Sequence, residues 1–184
     1  MKLTYTEHTI SRIFYAFKSG YELYANLFAE AIVIALRRDP QLSKIKFDFI
    51  VNIPLSPDKQ KAGELDRVDV VCKKLSVLLN RPYRKNMLIL SKPISRRSYK
   101  SLGITSSEFL YDYFNFLKWN KKISLNNKKI LVIDDVVTDG KTLEAFAKKI
   151  HSKYSKAQIY AATCGIMAKK SNMTYSTIKR YEWR

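Results

Sequence analysis

Asp134 and Asp135 stand side by side, directly after the apolar run Ile130, Leu131, Val132 and Ile133 and shortly before a polar stretch, Thr138, Asp139, Gly140, Lys141 and Thr142. Two adjacent carboxylates in such a place are costly to leave without a partner. They can accept hydrogen bonds from vicinal hydroxyls or hold a divalent cation. The small, hydroxyl-bearing residues after them would present free backbone N–H groups to an anion if a helix starts there. A helix N-terminus carries unsatisfied donors and the positive end of the helix dipole. The two halves together suit a sugar that carries a phosphate. A plainer account, in which Asp135 opens a turn and the threonines cap an ordinary helix, leaves the acids unexplained.

The elements that would hold these groups are legible on either side of them. The apolar run is too short for a helix and rich in β-branched residues, so it reads as a strand buried on both faces. Leu143, Phe146, Ala147 and Ile150 recur at i, i+3, i+4 and i+7, the spacing of a helix face. The order is strand, polar turn, helix. Gly140, Lys141 and Thr142 match the end of a P-loop, but Asp135 stands where its first glycine belongs. No G-x-G-x-x-G occurs, and the chain has only five glycines, too few to favour a dinucleotide fingerprint.

Further elements follow from pattern. Residues 21–38 carry Leu23, Leu27, Phe28, Ala31, Ile34 and Ala35, which predict a helix with a wide apolar stripe between Gly20 and Pro40. The aromatic run 13–20 before it reads as a strand or turn. Residues 47–53 form a strand ended by Pro54, leading into a loop over 54–63 stiffened by two prolines, in which Ser56, Lys59 and Lys61 offer anion-binding groups. Leu65, Val68, Val71, Cys72, Leu75, Leu78 and Leu79 trace a helix that stops at Asn80, Arg81 and Pro82. Residues 87–90 read as the next buried strand. The loop over 91–103 bears Lys92, Arg96, Arg97 and Lys100 with no acid among them. Cations on a mobile loop suit a leaving group that gains charge as its bond breaks, while a solvated surface or a nucleic-acid contact fits the same composition. Thr105, Ser106, Ser107 and Glu108 have capping-box form and open a helix that uses Phe109, Leu110, Tyr113, Phe114 and Leu117. Residues 158–164 supply a last strand, closed by Gly165. This alternation predicts an α/β fold, a parallel twisted sheet flanked by helices on both faces. Ligands of such folds bind at the C-terminal ends of the strands, where the acidic pair and both loops fall.

A length of 184 residues accommodates one domain, with a core over about 17–167 and a basic, aromatic tail over 169–184. Lys and Arg number 34 against 16 Asp and Glu, and the net charge of +18 attracts polyanions without naming one. No secretory pattern opens the sequence and no apolar run approaches a membrane span, so a soluble cytoplasmic protein is expected. Cys72 and Cys164 lie in apolar segments and read as buried thiols. His8 and His151 are isolated, which leaves a zinc site or a histidine triad short of parts. Asn172, Met173 and Thr174 match a glycosylation acceptor by chance.

Residues 130–142, ILVIDDVVTDGKT, resemble the phosphoribosyl-pyrophosphate (PRPP) signature of type I phosphoribosyltransferases. The loop Pro54, Leu55, Ser56 and Pro57 resembles the proline-leucine-x-proline loop of the ComF-like, competence-associated branch. Phe17-Lys18-Ser19-Gly20 and Tyr99-Lys100-Ser101-Leu102 are weaker echoes of that branch. With only two cysteines, the zinc-binding N-terminal extension of that branch is not expected. The resemblance implies a glycosyltransferase that uses PRPP and Mg2+, moves the phosphoribosyl group to a nitrogen nucleophile, with a nucleobase as the expected acceptor, and releases pyrophosphate. It implies that Asp134 and Asp135 orient the ribose and reach the Mg2+ carried by PRPP, and that Val137, Thr138, Asp139, Gly140, Lys141 and Thr142 wrap the 5′-phosphate. Pro54, Leu55, Ser56 and Lys59 would meet pyrophosphate, with Arg96, Arg97 and Lys100 as catalytic cations. Two positions depart from the pattern. Asp139 puts a carboxylate beside the phosphate, which repels it unless Lys141 or a cation compensates. Glu64, Leu65 and Asp66 stand where the family has arginines and a Phe-Asn-Gln segment. With the high charge, these departures keep a second reading open, a non-catalytic PRPP-sensing or DNA-associated protein on the same fold. A homodimer and a nucleic-acid partner are also left open.

Overall fold

Ile130, Leu131, Val132 and Ile133 are all buried, and they form the middle of a strand that both layers of the fold pack against. The structure is a computed structural model that describes residues 9–166. The basic tail over 169–184, His8 and the match at Asn172 lie outside the described residues. In chain order the elements are α1 (Thr9–Lys18), α2 (Glu22–Arg38), β1 (Phe49–Asn52), α3 (Pro57–Lys61), α4 (Arg67–Leu79), β2 (Leu88–Leu90), α5 (Arg96–Ser101), α6 (Ser106–Phe116), β3 (Leu117–Trp119), β4 (Lys129–Val137), α7 (Lys141–His151) and β5 (Gln158–Ile166).

The main sheet runs β1-β4-β5 with every pairing parallel, so β4 is its central strand. Successive side chains of a strand point to opposite faces, and along β4 this alternation divides the interior in two. Ile130 and Val132 join Phe109, Tyr113, Phe146 and Ile150, the core under α6 and α7. Leu131 and Ile133 join Val71, Cys72 and Leu75 of α4 and Ala25, Ala29 and Ile32 of α2. The molecule is an α/β fold, a parallel sheet between helical layers, as the alternation of elements predicts. No helix among the described residues is long and apolar enough to cross a membrane.

Local chemistry sets the helix ends. Asp66 caps α4 by accepting the Asp69 N–H at 3.0 Å, and Asn80 ends that helix in the left-handed conformation at φ 48°. Thr105 and Glu108 form the predicted capping box of α6.

Several expectations need correction. The run 13–20 belongs mostly to α1 rather than to a strand or turn; Phe14 and Phe17 lie one turn apart and bury the same face, with the Phe17 ring 4.9 Å from that of Phe28. In α2 the stripe Leu23, Leu27, Ala31, Ile34 and Ala35 faces solvent, and Ala25, Ala29, Ile32, Val33 and Leu36 are buried instead. Both series have helical spacing, so hydropathy cannot choose between them. The inward series pairs small alanines with β-branched side chains and lets α2 approach α4 closely. Leu65 precedes α4 and is 48% exposed. The strand at 87–90 does not join the parallel sheet: β2 pairs antiparallel with β3 in a separate two-stranded sheet. Leu117, expected at the end of a helix, starts β3 and pairs with Leu90. The loops over 54–63 and 91–103 each contain a short helix, α3 and α5. Cys72 is fully buried, whereas Cys164 is half-buried.

Candidate functional site

The acids lie within β4, whose pairing with β5 continues to Val137, and they mark the end of its buried stretch. A cavity of about 240 Å3 opens beside them. Of the residues singled out in the sequence, Pro54, Leu55, Ser56 and Lys59 line it from one side, Arg96 from another, and Asp134, Asp135, Thr138 and Thr142 from the strand and the following turn. Val137, Asp139, Gly140 and Lys141 belong to the turn without lining the cavity, and Arg97 and Lys100 are exposed on α5 outside it.

Within the acidic pair, Asp134 Oδ1 accepts the Asp135 N–H at 2.8 Å. Burial of the Asp134 carboxyl and then the neighbouring Asp135 charge push its pKa well above the ordinary carboxylate range. Asp135 Oδ2 lies 4.0 Å from Arg67 Nη2, while Arg67 Nη1 donates to the Lys18 carbonyl at the end of α1. Arg67 thus links the first helix to the acidic pair. Sequence reasoning missed it, although it directly follows Glu64, Leu65 and Asp66, where the family pattern has arginines. Phe109 and Tyr113, assigned only to a helix face, also line the cavity.

The turn after β4 needs a glycine at position 140, because Gly140 is the N-cap of α7 at φ 75°, where other side chains are strained. Asp139 Oδ1 accepts the Lys141 N–H at 3.2 Å. Asp139 Oδ2 accepts from Arg96 Nη2 at 2.6 Å, Arg96 Nε at 3.1 Å and Ser106 Oγ at 3.1 Å. Partial burial opposes ionisation of Asp139, but the Lys141 amide, Arg96 and Ser106 outweigh it and hold the pKa below the usual range. Charge compensation therefore comes from Arg96. Lys141 Nζ is engaged with Glu144 at 2.7 Å. The Arg96 guanidinium carbon sits 5.1 Å from the Phe109 ring centroid, and Arg96 Nη1 is buried with no partner among the described residues. That third nitrogen is a buried donor left unsatisfied.

The proline loop is pinned from within. Ser56 is buried; its Oγ donates to Asp58 and accepts the Ile94 N–H at 3.3 Å. Lys59 pairs with Glu64 at 3.5 Å. Among the described residues no group of three or more His, Cys, Asp or Glu could enclose a metal. Asp134 and Asp135 offer carboxylate oxygens of the kind Mg2+ takes when its remaining ligands are water and substrate oxygens.

No protein-family model and no curated protein sequence matches the chain. Solved structures do. The chain is similar to a purine phosphoribosyltransferase from Pyrococcus horikoshii at 14% identity, covering 85% of this chain and 94% of that one with a TM-score of 0.44. It is similar to a hypoxanthine-guanine phosphoribosyltransferase from Bacillus anthracis at 15% identity, covering 85% and 78% with a TM-score of 0.47. A hypoxanthine phosphoribosyltransferase from Trypanosoma cruzi is similar at 11% identity, covering 80% and 76% with a TM-score of 0.47.

Proposed function

We propose that the protein binds PRPP with Mg2+ and transfers the phosphoribosyl group to a nitrogen nucleophile, a nucleobase, releasing pyrophosphate. It would act as a single catalytic domain of the ComF-like branch of type I phosphoribosyltransferases, soluble and cytoplasmic. The observation that carries this reading is the convergence on one cavity of the acidic pair, Thr138 and Thr142 of the turn into α7, and Arg96.

Asp134 and Asp135 accept the ribose hydroxyls. Thr138 and Thr142, with the first amides of α7, hold the 5′-phosphate. Pyrophosphate lies toward the loop of Pro54, Leu55, Ser56 and Lys59 and toward Arg96; Arg97 and Lys100 reach it only if α5 moves. The bond from C1 to the pyrophosphate oxygen breaks, the bond from C1 to nitrogen forms, and the nucleophile gives up its proton. Mg2+, when bound, neutralises charge on the pyrophosphate, and Asp134 and Asp135 are the residues that would reach it. The chain itself positions the sugar and places donors where negative charge grows.

Calorimetric titration with Mg-PRPP and with ribose 5-phosphate tests the binding, and a panel of nucleobases scored for pyrophosphate release tests the reaction. Preference for PRPP and release with at least one base are expected. Absence of PRPP binding ends the reading. The pairing of Asp139 with Arg96 favours one alternative, a non-catalytic PRPP sensor on the same fold. Tight PRPP binding with no release from any base selects it.

A further inference from the structure

The helix α2 has two apolar sides, and the fold covers one of them. Ala25, Ala29, Ile32, Val33 and Leu36 are buried in the core shared with α4 and the sheet. At 3.6 residues per turn Leu23, Leu27 and Ile34 fall within about 40° of one another around the axis, on the side opposite to that series. They are 66%, 46% and 50% exposed, and Ala31 beside them is exposed as well. The outward pole of a helix that covers a sheet ordinarily carries charged or polar side chains. Single exposed leucines are unremarkable, but three large aliphatic side chains in line along about 16 Å of helix form a patch. Glu30 and Arg37 lie on one flank of this stripe, within about 20° of each other. An apolar seam with a charged rim has the anatomy of a protein interface.

Charge points to what covers it. The chain carries a net charge of +18, yet α2 is balanced, with Glu22 and Glu30 against Arg37 and Arg38, and no other α-helix among the described residues is neutral. Two copies of so basic a protein repel least where their surfaces are neutral. In a pair whose two-fold axis sets the helices antiparallel, like flanks meet. Glu30 of each copy then comes opposite Arg37 of the other, Ile34 lies at the axis, and Leu27 follows two turns along the same seam. A parallel pair would instead set Glu30 against Glu30 and Arg37 against Arg37, which is unfavourable. We infer that the outward face of α2 is the contact between two copies of this chain, an antiparallel helix pair about a two-fold axis. None of these side chains lines the cavity beside Asp134, so the inference is independent of the PRPP reading.

A single helix pair covers less than the roughly 1,600 Å2 of a standard interface, so a micromolar association is expected. Sedimentation equilibrium of the full chain over about 1–200 µM should show monomer and dimer in exchange. Raising salt from about 50 to 500 mM should strengthen the dimer, because the net charge of each copy is screened while apolar contact is kept. Leu27→Glu with Ile34→Glu should weaken association about tenfold or more. Val77→Glu with Leu102→Glu makes the same charge change at exposed aliphatic side chains elsewhere and should alter it by less than about twofold. Leu27→Gln with Ile34→Gln repeats the test should the first pair of changes fail to fold. Glu30→Arg should weaken the dimer about threefold or more, and adding Arg37→Glu should restore it. A dimer that Leu27→Glu with Ile34→Glu leaves intact overturns the inference. So does a monomer at every concentration, whether Ala31→Cys then reacts freely with a maleimide dye or is shielded by a segment of the same chain.

Discussion

The cavity and the region of β2, β3 and α7 carry the same kinds of cation but settle their charge in opposite ways. Around the cavity, Arg96 meets Asp139 at 2.6 Å, Lys59 meets Glu64 at 3.5 Å and Arg67 approaches Asp135 at 4.0 Å. Around β2, β3 and α7, Lys92, Lys149 and Lys153 rest on aromatic rings and meet no carboxylate among the described residues. Paired cations exert little field at a distance, and an anionic ligand has to replace the carboxylate that holds them. The cavity therefore selects by geometry. Unpaired lysines attract any anion over about a Debye length and lose that attraction in salt.

The sharpest way to separate the two regions is Asp135→Asn. It removes an acceptor at the cavity, so PRPP affinity should fall about a hundredfold or more. Calorimetry checks this, and an unchanged affinity would take Asp135 out of the site. The pair also sets a pH dependence. Because the folded-state pKa of Asp134 is raised, the native protein holds a proton that the unfolded chain releases. Its contribution to stability is complete below the ordinary carboxylate range and disappears as pH rises through the raised value. Asp139 and Glu144 have lowered values, so their contributions vanish in the opposite direction, as pH falls below that range. The melting temperature of the ligand-free protein should thus drop between about pH 5 and pH 8, and Asp134→Asn should flatten that decline.

A smaller effect is expected at Asp139. Its carboxylate occupies Arg96 and the Lys141 amide, both of which a phosphate could use. Asp139→Ser keeps a short capping side chain and removes the charge. Relief of repulsion across roughly 4 Å near water is worth about 1 kcal/mol, so affinity for ribose 5-phosphate should rise about fivefold. Titration calorimetry measures it. A fall in affinity would show instead that Asp139 serves the ligand by holding Arg96 in place.

How much of this was legible before the fold was known depends on whether the signal was local. The strand of Ile130 to Ile133, the turn at Gly140 and the face of Leu143, Phe146, Ala147 and Ile150 each follow from neighbours in sequence, and all stand as read. The inward side of α2 was not legible, because two apolar series share one helix and only the approach of α4 chooses between them. Nor was the pairing of Leu90 with Leu117, which joins residues 27 apart across two helices. Arg96 was visible as a cation, but its grip on Asp139 required α5 to form and dock, a tertiary fact. The rings under Lys149 and Lys153, Phe114 and Trp119, belong to elements more than thirty residues away, so no local pattern announces these pairs.

Lys149→Met probes the unpaired lysines with the smallest expected change. The Lys149 ammonium lies over the Phe114 ring, and its pKa is depressed by burial and then by Lys118. Methionine keeps an unbranched stem of similar length against the ring, where its sulfur makes a favourable aromatic contact. It removes one member of the repelling pair. Like charges at this range destabilise by about 0.2–0.5 kcal/mol, so the melting temperature should rise slightly at low salt and the gain should shrink as salt screens Lys118 from its neighbour. A melting temperature that fell instead would mean Lys149 is held there for packing alone, and the contrast between a neutralised cavity and uncompensated lysines would no longer include α7.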